Sequence, residues 1–217
     1  MKTVFVYSGK CLTNLHVGNG DTTYGLIDNE VSRDVVLNVP NIPGSGVKGA
    51  IREFVRDEGK LEKDKIDIIF GPESKEARGK QGSYKFFSAI LYKYPIQLKG
   101  EESTEGKAYE LRSPQGVKEY VADLLGSLGV AGINVEHPNE HKPFSFSDVD
   151  LPIVARNNLE TAGGNLWYEE YVPHQSEFLF IVISDSKKDE LALDGEVIQF
   201  GANASIGQGL IRLTRLV

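Results

Sequence analysis

Two hydrophobic periods take turns along this chain, and their order limits its fold more than any other feature. TVFVYSG near the start alternates and is rich in β-branched and aromatic residues, which predicts a strand over residues 2–8. In residues 46–58, GVKGAIREFVRDE, the residues Val47, Ala50, Ile51, Phe54 and Val55 recur at helical spacing. That stripe predicts a helix with Ser45 as N-cap and Gly59 as stop, and Lys48, Arg52 and Arg56 follow at four-residue steps on another face. KFFSAILY, residues 85–92, reads as a buried strand that Pro95 ends. Residues 114–128 read as a second helix, with Ser113 as cap, Pro114 in the first position and Gly129 after it. EFLFIVI, residues 177–183, is an apolar strand, and 195–200 and 209–215 are two shorter ones. Strand, helix, strand, helix, strand is compatible with an α+β, ferredoxin-like domain whose helices cover one face of an antiparallel sheet.

At 217 residues the chain can form one domain with its own core, or one domain carrying a large insertion. No apolar run approaches the roughly 20 residues of a membrane helix. The opening MKTVFVYSGK lacks a basic patch before an apolar stretch, so the expected compartment is the cytoplasm. A single cysteine, Cys11, excludes an internal disulfide and a cysteine-cluster metal site. A net charge of −7 argues against nucleic acid until its distribution is seen. Residues 31–99 hold 13 Lys and Arg against 9 Asp and Glu, while residues 100–217 hold 9 against 19. A basic face for RNA on an acidic body and plain acidic solubility are equally good readings of that asymmetry.

The stretches 9–45, 71–84 and 130–172 are polar, punctuated by Gly or Pro, and longer than ordinary connections, so the site is sought there. LHVGNGDTTYGLIDNEVSRD supplies His16, Asp21, Asp28, Glu30, Asp34 and Arg33 within twenty residues. Such groups suit phosphodiester chemistry; a glycine-rich turn with solvated charges is the bland alternative. NIPGSGVKGAIR puts Gly44 and Ser45 at a helix start with Lys48 in the first turn, an arrangement for an anion or an ordinary capped helix. In FGANASIGQGLIR, Gly201, Gly207 and Gly209 precede a final strand, so no Rossmann fingerprint is present. Its backbone either abuts RNA or another segment closely, or makes a tight β-connection. NLWYEEYVP holds the single tryptophan, Trp167, whose ring either stacks on a base or, as is commoner, packs into a core.

Together these segments resemble the RAMP superfamily of CRISPR proteins, most closely the repeated backbone subunits of type III-B (Cmr) effector complexes. LHVGNG, GLIDNEVSRD and NIPGSGVKGAIRE carry the N-terminal part of the resemblance, RNNLETAGGNLWYEEYVP the middle and IQFGANASIGQGL the end. The resemblance implies several copies stacked along a CRISPR guide RNA, together with other effector-complex subunits. It implies a ferredoxin-like (RRM-like) palm and a β-hairpin thumb, placed at about 134–172, that wedges into the guide–target duplex. It implies cleavage of a single-stranded target RNA at regular intervals, with Asp28 as catalytic residue and ligand of a divalent cation, Mg²⁺ or Mn²⁺. His16, Glu169 and Tyr171 are its candidates to assist, and Gly44, Ser45, Lys48, Arg52, Arg33, Arg156, Gly207 and Gly209 its candidates to hold RNA. His137 and His141, four apart, are a further conceivable metal pair, although the prolines around them argue against a helix presenting both. A non-catalytic scaffold and a RAMP endonuclease that processes precursor CRISPR RNA are the alternatives.

Overall fold

A computed structural model describes residues 2–20, 26–73, 81–99, 108–130, 135–136, 142–158 and 165–217. The strands β1 (Thr3–Cys11), β2 (Asn41–Ile42), β3 (Tyr84–Phe86), β4 (Ala89–Gln97), β5 (Tyr109–Arg112), β8 (Glu177–Ser184), β9 (Val197–Gln199) and β10 (Leu210–Arg215) form one antiparallel sheet. β6 (Ile153–Asn158) and β7 (Asn165–Glu170) pair separately as a hairpin. The sheet order is β2-β4-β8-β1-β10-β9, with β3 also beside β8 and β5 beside β4.

The continuous apolar run of β8 is central because it is covered on both faces; Phe178 to Ile183 are all buried. β1 runs along it from Thr3↔Ser184 to Lys10↔Glu177 and takes β10 on its other edge. Gly9 of β1 has no room for a side chain, since a Cβ there would lie 2.3 Å from the Phe180 ring. Helix α1 (Gly44–Asp57) buries Val47, Ile51 and Val55 as its spacing predicts, and α2 (Lys63–Phe70) packs beside it. Helix α3 (Val117–Ser127) buries Val121 and Leu125 in the same continuous core.

Three local expectations are corrected. Ser45 is not the cap of α1: Pro43 holds that position and Ser45 lies exposed in the first turn. The Gly44 N–H instead donates to Ser88 Oγ at 3.1 Å. Ser113 is not the cap of α3: its hydroxyl donates to the Tyr92 carbonyl, and Gly116, at φ 79°, opens the helix. Residues 85–92 divide between β3 and β4, and Pro95 is carried inside β4 opposite Leu111, next to a register shift between Leu91 and Lys93. Helix α3 is separated from β8 by the stretch that holds β6 and β7. It belongs, with β5, β6 and β7, to an excursion that leaves β4 and returns to β8 where Lys93 and Glu177 are paired.

Candidate active site

Residues 14–18, just past β1, are fastened on both sides. Leu15 exchanges two 2.8 Å backbone hydrogen bonds with Val172, beyond β7, and Ser32 N–H donates to the Val17 carbonyl. On the other side Ala202 N–H donates to the His16 carbonyl and Gly209 N–H to that of Asn14. The glycine loop between β9 and β10 comes this close because Gly201 has no side chain. At Gly201, φ is 70° and a Cβ would fall 2.2 Å from the His16 carbonyl oxygen. The loop is thus a tight β-connection whose backbone abuts another segment of the chain.

The outer edge of β7 then receives both chemically capable side chains. Asp28 and Asn29 N–H each donate to the Tyr168 carbonyl at 3.1 Å, and Tyr168 N–H donates back to Asp28 Oδ2 at 2.8 Å. Glu170 N–H donates to the Asn29 carbonyl, and His16 Nδ1 lies 2.7 Å from the Glu170 carbonyl. A carbonyl only accepts, so Nδ1 carries a proton, and in the tautomer this selects Nε2 bears the lone pair. Tyr168 and Glu170 present their backbone groups to the same edge. The groups that bind Asp28 and His16 are therefore spaced by about 7 Å along the strand.

The two glutamates of β7 support this edge. Glu169 is 8% exposed and its carboxylate is surrounded by donors. Trp167 Nε1 and Asn29 Nδ2 donate to Oε1 at 2.9 and 3.2 Å, and Arg156 Nε and Asn203 Nδ2 donate to Oε2. Burial alone would raise its pKa, but the hydrogen bonds from Trp167, Arg156 and Asn203 and the Arg156 charge outweigh that and hold it below the usual range. Glu170 faces the other way, pairs with Arg33 at 3.2 Å and accepts Val31 N–H at 3.0 Å.

These contacts bring segments far apart in sequence together, and comparison with known proteins shows which family the chain belongs to. The family model of the RAMP superfamily matches residues 9–212. The chain belongs to the RAMP superfamily. Among RAMP relatives, the Cmr4 subunit of the CRISPR Cmr system of Saccharolobus solfataricus is 32% identical across 94% of each chain. The Cmr endoribonuclease Cmr4 of Pyrococcus furiosus is 24% identical across 94% of this chain and 92% of its own. The CRISPR endoribonuclease Csm3 of Streptococcus thermophilus is 36% identical over 36% of this chain and 40% of its own. The RAMP fold is shared with a chain of the type III-B Cmr-beta complex bound to cognate target RNA, at TM-score 0.79 and 20% identity over 99% of this chain and 97% of that one. Oligomeric Cmr4 from Pyrococcus furiosus aligns at TM-score 0.65 and 18% identity over 100% and 99% of the two chains.

The remaining candidates fall in four places. Arg156 lies on β6 against Glu169, and Arg33 pairs with Glu170 while its guanidinium sits 5.7 Å from the Phe146 ring centre. Tyr171 follows β7, where its N–H donates to the Pro152 carbonyl. Gly207 closes the 3₁₀ turn Ala204–Ile206 at φ 77°, and Gly209 leaves the loop at φ 87°. Gly44, Ser45, Lys48 and Arg52 line a separate open depression of about 550 Å³ with Gly82, Tyr84 and Lys85. There Arg52 is paired with Asp67 and Glu73, whereas Lys48 makes no ion pair among the described residues. Asp21, His137 and His141 lie outside the described residues.

Among the described residues no three His, Cys, Asp or Glu side chains come together as metal ligands. The two carboxylates of β7 are already committed, Glu169 to four donors and Glu170 to Arg33. Of these three carboxylates, Asp28 is the one that could hold a divalent cation. Sequence reasoning missed Asn29, Tyr168 and Asn203. Their signal was weak, because each acts through a backbone group or amide on a distant segment.

Proposed function

We propose that this chain is the repeated backbone subunit of a type III CRISPR ribonucleoprotein, which binds the guide RNA and cleaves complementary target RNA at regular intervals. The observation that carries the reading is the β7 edge, where Asp28 is pinned by Tyr168 beside a histidine whose tautomer is set by Glu170. The match of the whole chain to Cmr4 subunits, one of them an endoribonuclease, supports it. The palm is ferredoxin-like: β4-β8-β1-β10 follow the strand order of that fold, and α1 links β1 to β4. No helix joins β8 to β9 through residues 185–196, so α3 is an addition to that plan. The thumb is the excursion carrying the β6–β7 hairpin, with the site at its base.

RNA brings its own nucleophile. A nucleotide turned out of the stack aligns its 2′-OH with the adjacent phosphorus, and attack yields a 2′,3′-cyclic phosphate and a free 5′-OH. Asp28, held at Oδ2, accepts a hydrogen bond from that hydroxyl and orients it. His16 Nε2 accepts a proton, and the ring is kept in register by its Nδ1 bond to Glu170. A divalent cation would be held by Asp28 together with phosphate oxygens and water, and would neutralise the phosphate charge. The guide backbone lies along the α1 depression, where Lys48 and the first-turn N–H groups of Ser45 and Gly46 face phosphate. No helix among the described residues is long and apolar enough to cross a membrane.

The test is target cleavage by the reconstituted guide-loaded complex, comparing wild type with Asp28→Ala, each with and without Mg²⁺. An evenly spaced product ladder from wild type, lost in Asp28→Ala while target binding persists, is the expected result. Binding without cutting by wild type would make the chain a scaffold, and equal cutting by both would move the active residue elsewhere. A ladder from wild type that survives chelation would remove the cation from the reading.

A further inference from the structure

The β6–β7 hairpin has an inverted surface. Its register sets Ile153 opposite Glu170, Ala155 opposite Tyr168 and Asn157 opposite Leu166, and residues directly opposite share a face. Ile153, Ala155, Asn157, Leu166 and Tyr168 thus lie on one side, together with the buried Glu170, and Val154, Arg156, Trp167 and Glu169 on the other. The polar side is the one turned into the protein. The apolar side is open, with Ile153 48%, Leu166 58% and Tyr168 39% exposed. Apolar groups clustered on an exposed face mark a surface that meets something.

Within that face Tyr168 is singular. Its carbonyl accepts both Asp28 and Asn29 N–H, and its own N–H holds the Asp28 carboxylate. The same residue therefore anchors the reactive aspartate by its backbone and offers an aromatic ring to solvent by its side chain. Three hydrogen bonds fix where the ring's attachment point stands relative to the carboxylate. In-line attack needs the reacting nucleotide out of its helical stack, and an aromatic face is what compensates an unstacked base without regard to its identity.

We propose that Tyr168 is the platform on which a base flanking the scissile phosphate stacks, with Leu166 and Ile153 as its apolar border. It is a positioning residue: it holds the nucleotide, and Asp28 meets the reacting atoms. The proposal rests on the cleavage reading above. It accounts for one hairpin residue being placed at both the aspartate and the open face, and it makes cleavage tolerant of sequence.

The experiment uses the guide-loaded complex in excess over target, in single turnover, with Tyr168→Ala, Tyr168→Phe and wild type. Each is given a normal target, and targets with one abasic nucleotide on the 5′ or 3′ side of a single cleavage position. Tyr168→Ala keeps the backbone that holds Asp28, so the expected result is cleavage slowed by at least about fivefold with target affinity and assembly intact. Tyr168→Phe, which keeps the ring, restores most of that rate. An abasic nucleotide on one side slows wild type by a similar factor and slows Tyr168→Ala no further. Any of four results overturns the proposal: Tyr168→Ala cutting at the wild-type rate, Tyr168→Phe as slow as alanine, abasic and alanine effects that multiply, or a Tyr168→Ala subunit that no longer assembles. The last would make the face a contact between copies. A wild-type complex that binds and does not cut overturns the cleavage reading itself, and so separates the two failures.

Discussion

Glu169→Gln is the sharpest probe of how the site is held. Glutamine has the same shape, but its amide offers one accepting oxygen where the carboxylate offers two. Trp167 and Asn29 donate to one oxygen, and Arg156 and Asn203 to the other. Whichever way the amide turns, one pair of donors meets an NH₂ group, and Arg156 loses its counter-charge. A hydrogen bond to a charged group contributes about 1.5–3 kcal/mol. Arg156 is 21% exposed at its side chain and recovers some hydration, so the net destabilisation is about 2–3 kcal/mol rather than the full sum. For a chain of this size that lowers Tm by roughly 5–10 °C. The assay is thermal unfolding at several pH values. The carboxylate's pKa is depressed in the folded protein, so its contribution is fully present above the unfolded value, near 4.3, and is lost as pH falls through the folded one. The gap between wild type and Glu169→Gln should be constant near neutrality and close below about pH 4. A Tm within about 1 °C of wild type at pH 7, against the shift expected from the lost bonds, would refute the four-donor arrangement.

Gly201→Ala forces a Cβ onto the His16 carbonyl at φ 70° and should cost at least about 2 kcal/mol in urea denaturation, with cleavage falling alongside. Lys48→Ala should weaken guide binding and reduce the salt slope by about 0.7, whereas Arg52→Ala, whose partners are Asp67 and Glu73, should change binding less than Lys48→Ala does. Filter binding across a salt series distinguishes the two.

The parts of the fold that follow hydrophobic period are legible in the chain. Val47, Ile51 and Val55 on α1, Val121 and Leu125 on α3, and the run of β8 all face the core as their spacing requires. The β6–β7 hairpin is illegible for the same reason. There Glu169 and Arg156 point inward because a hydrogen-bonded site, not a core, fills that side, while Ile153 and Leu166 point outward. Period reasoning assumes that apolar means inside, and this element reverses it. Helix α2 escaped because Lys63, Asp64, Lys65 and Asp67 interrupt its apolar residues. Asp28 stood out from the other acids of its loop only through the family resemblance. What distinguishes it physically is Tyr168, and no local pattern announces a partner on a strand that far downstream. The closeness of the glycine loop was readable, but not the identity of the segment it presses on.

Because β1 lies between β8 and β10, and the residues after it are buttoned to 172, 202 and 209, the site has a place in time as well as in space. A growing chain carries His16 and Asp28 early. It gains Tyr168 and Glu170 much later, and Gly201 and Gly209 later still. Chains emerge from the ribosome in that order. The earliest-made side chains of this edge therefore wait for the latest-made segments before they are aimed, and a half-synthesised chain carries these residues without their geometry.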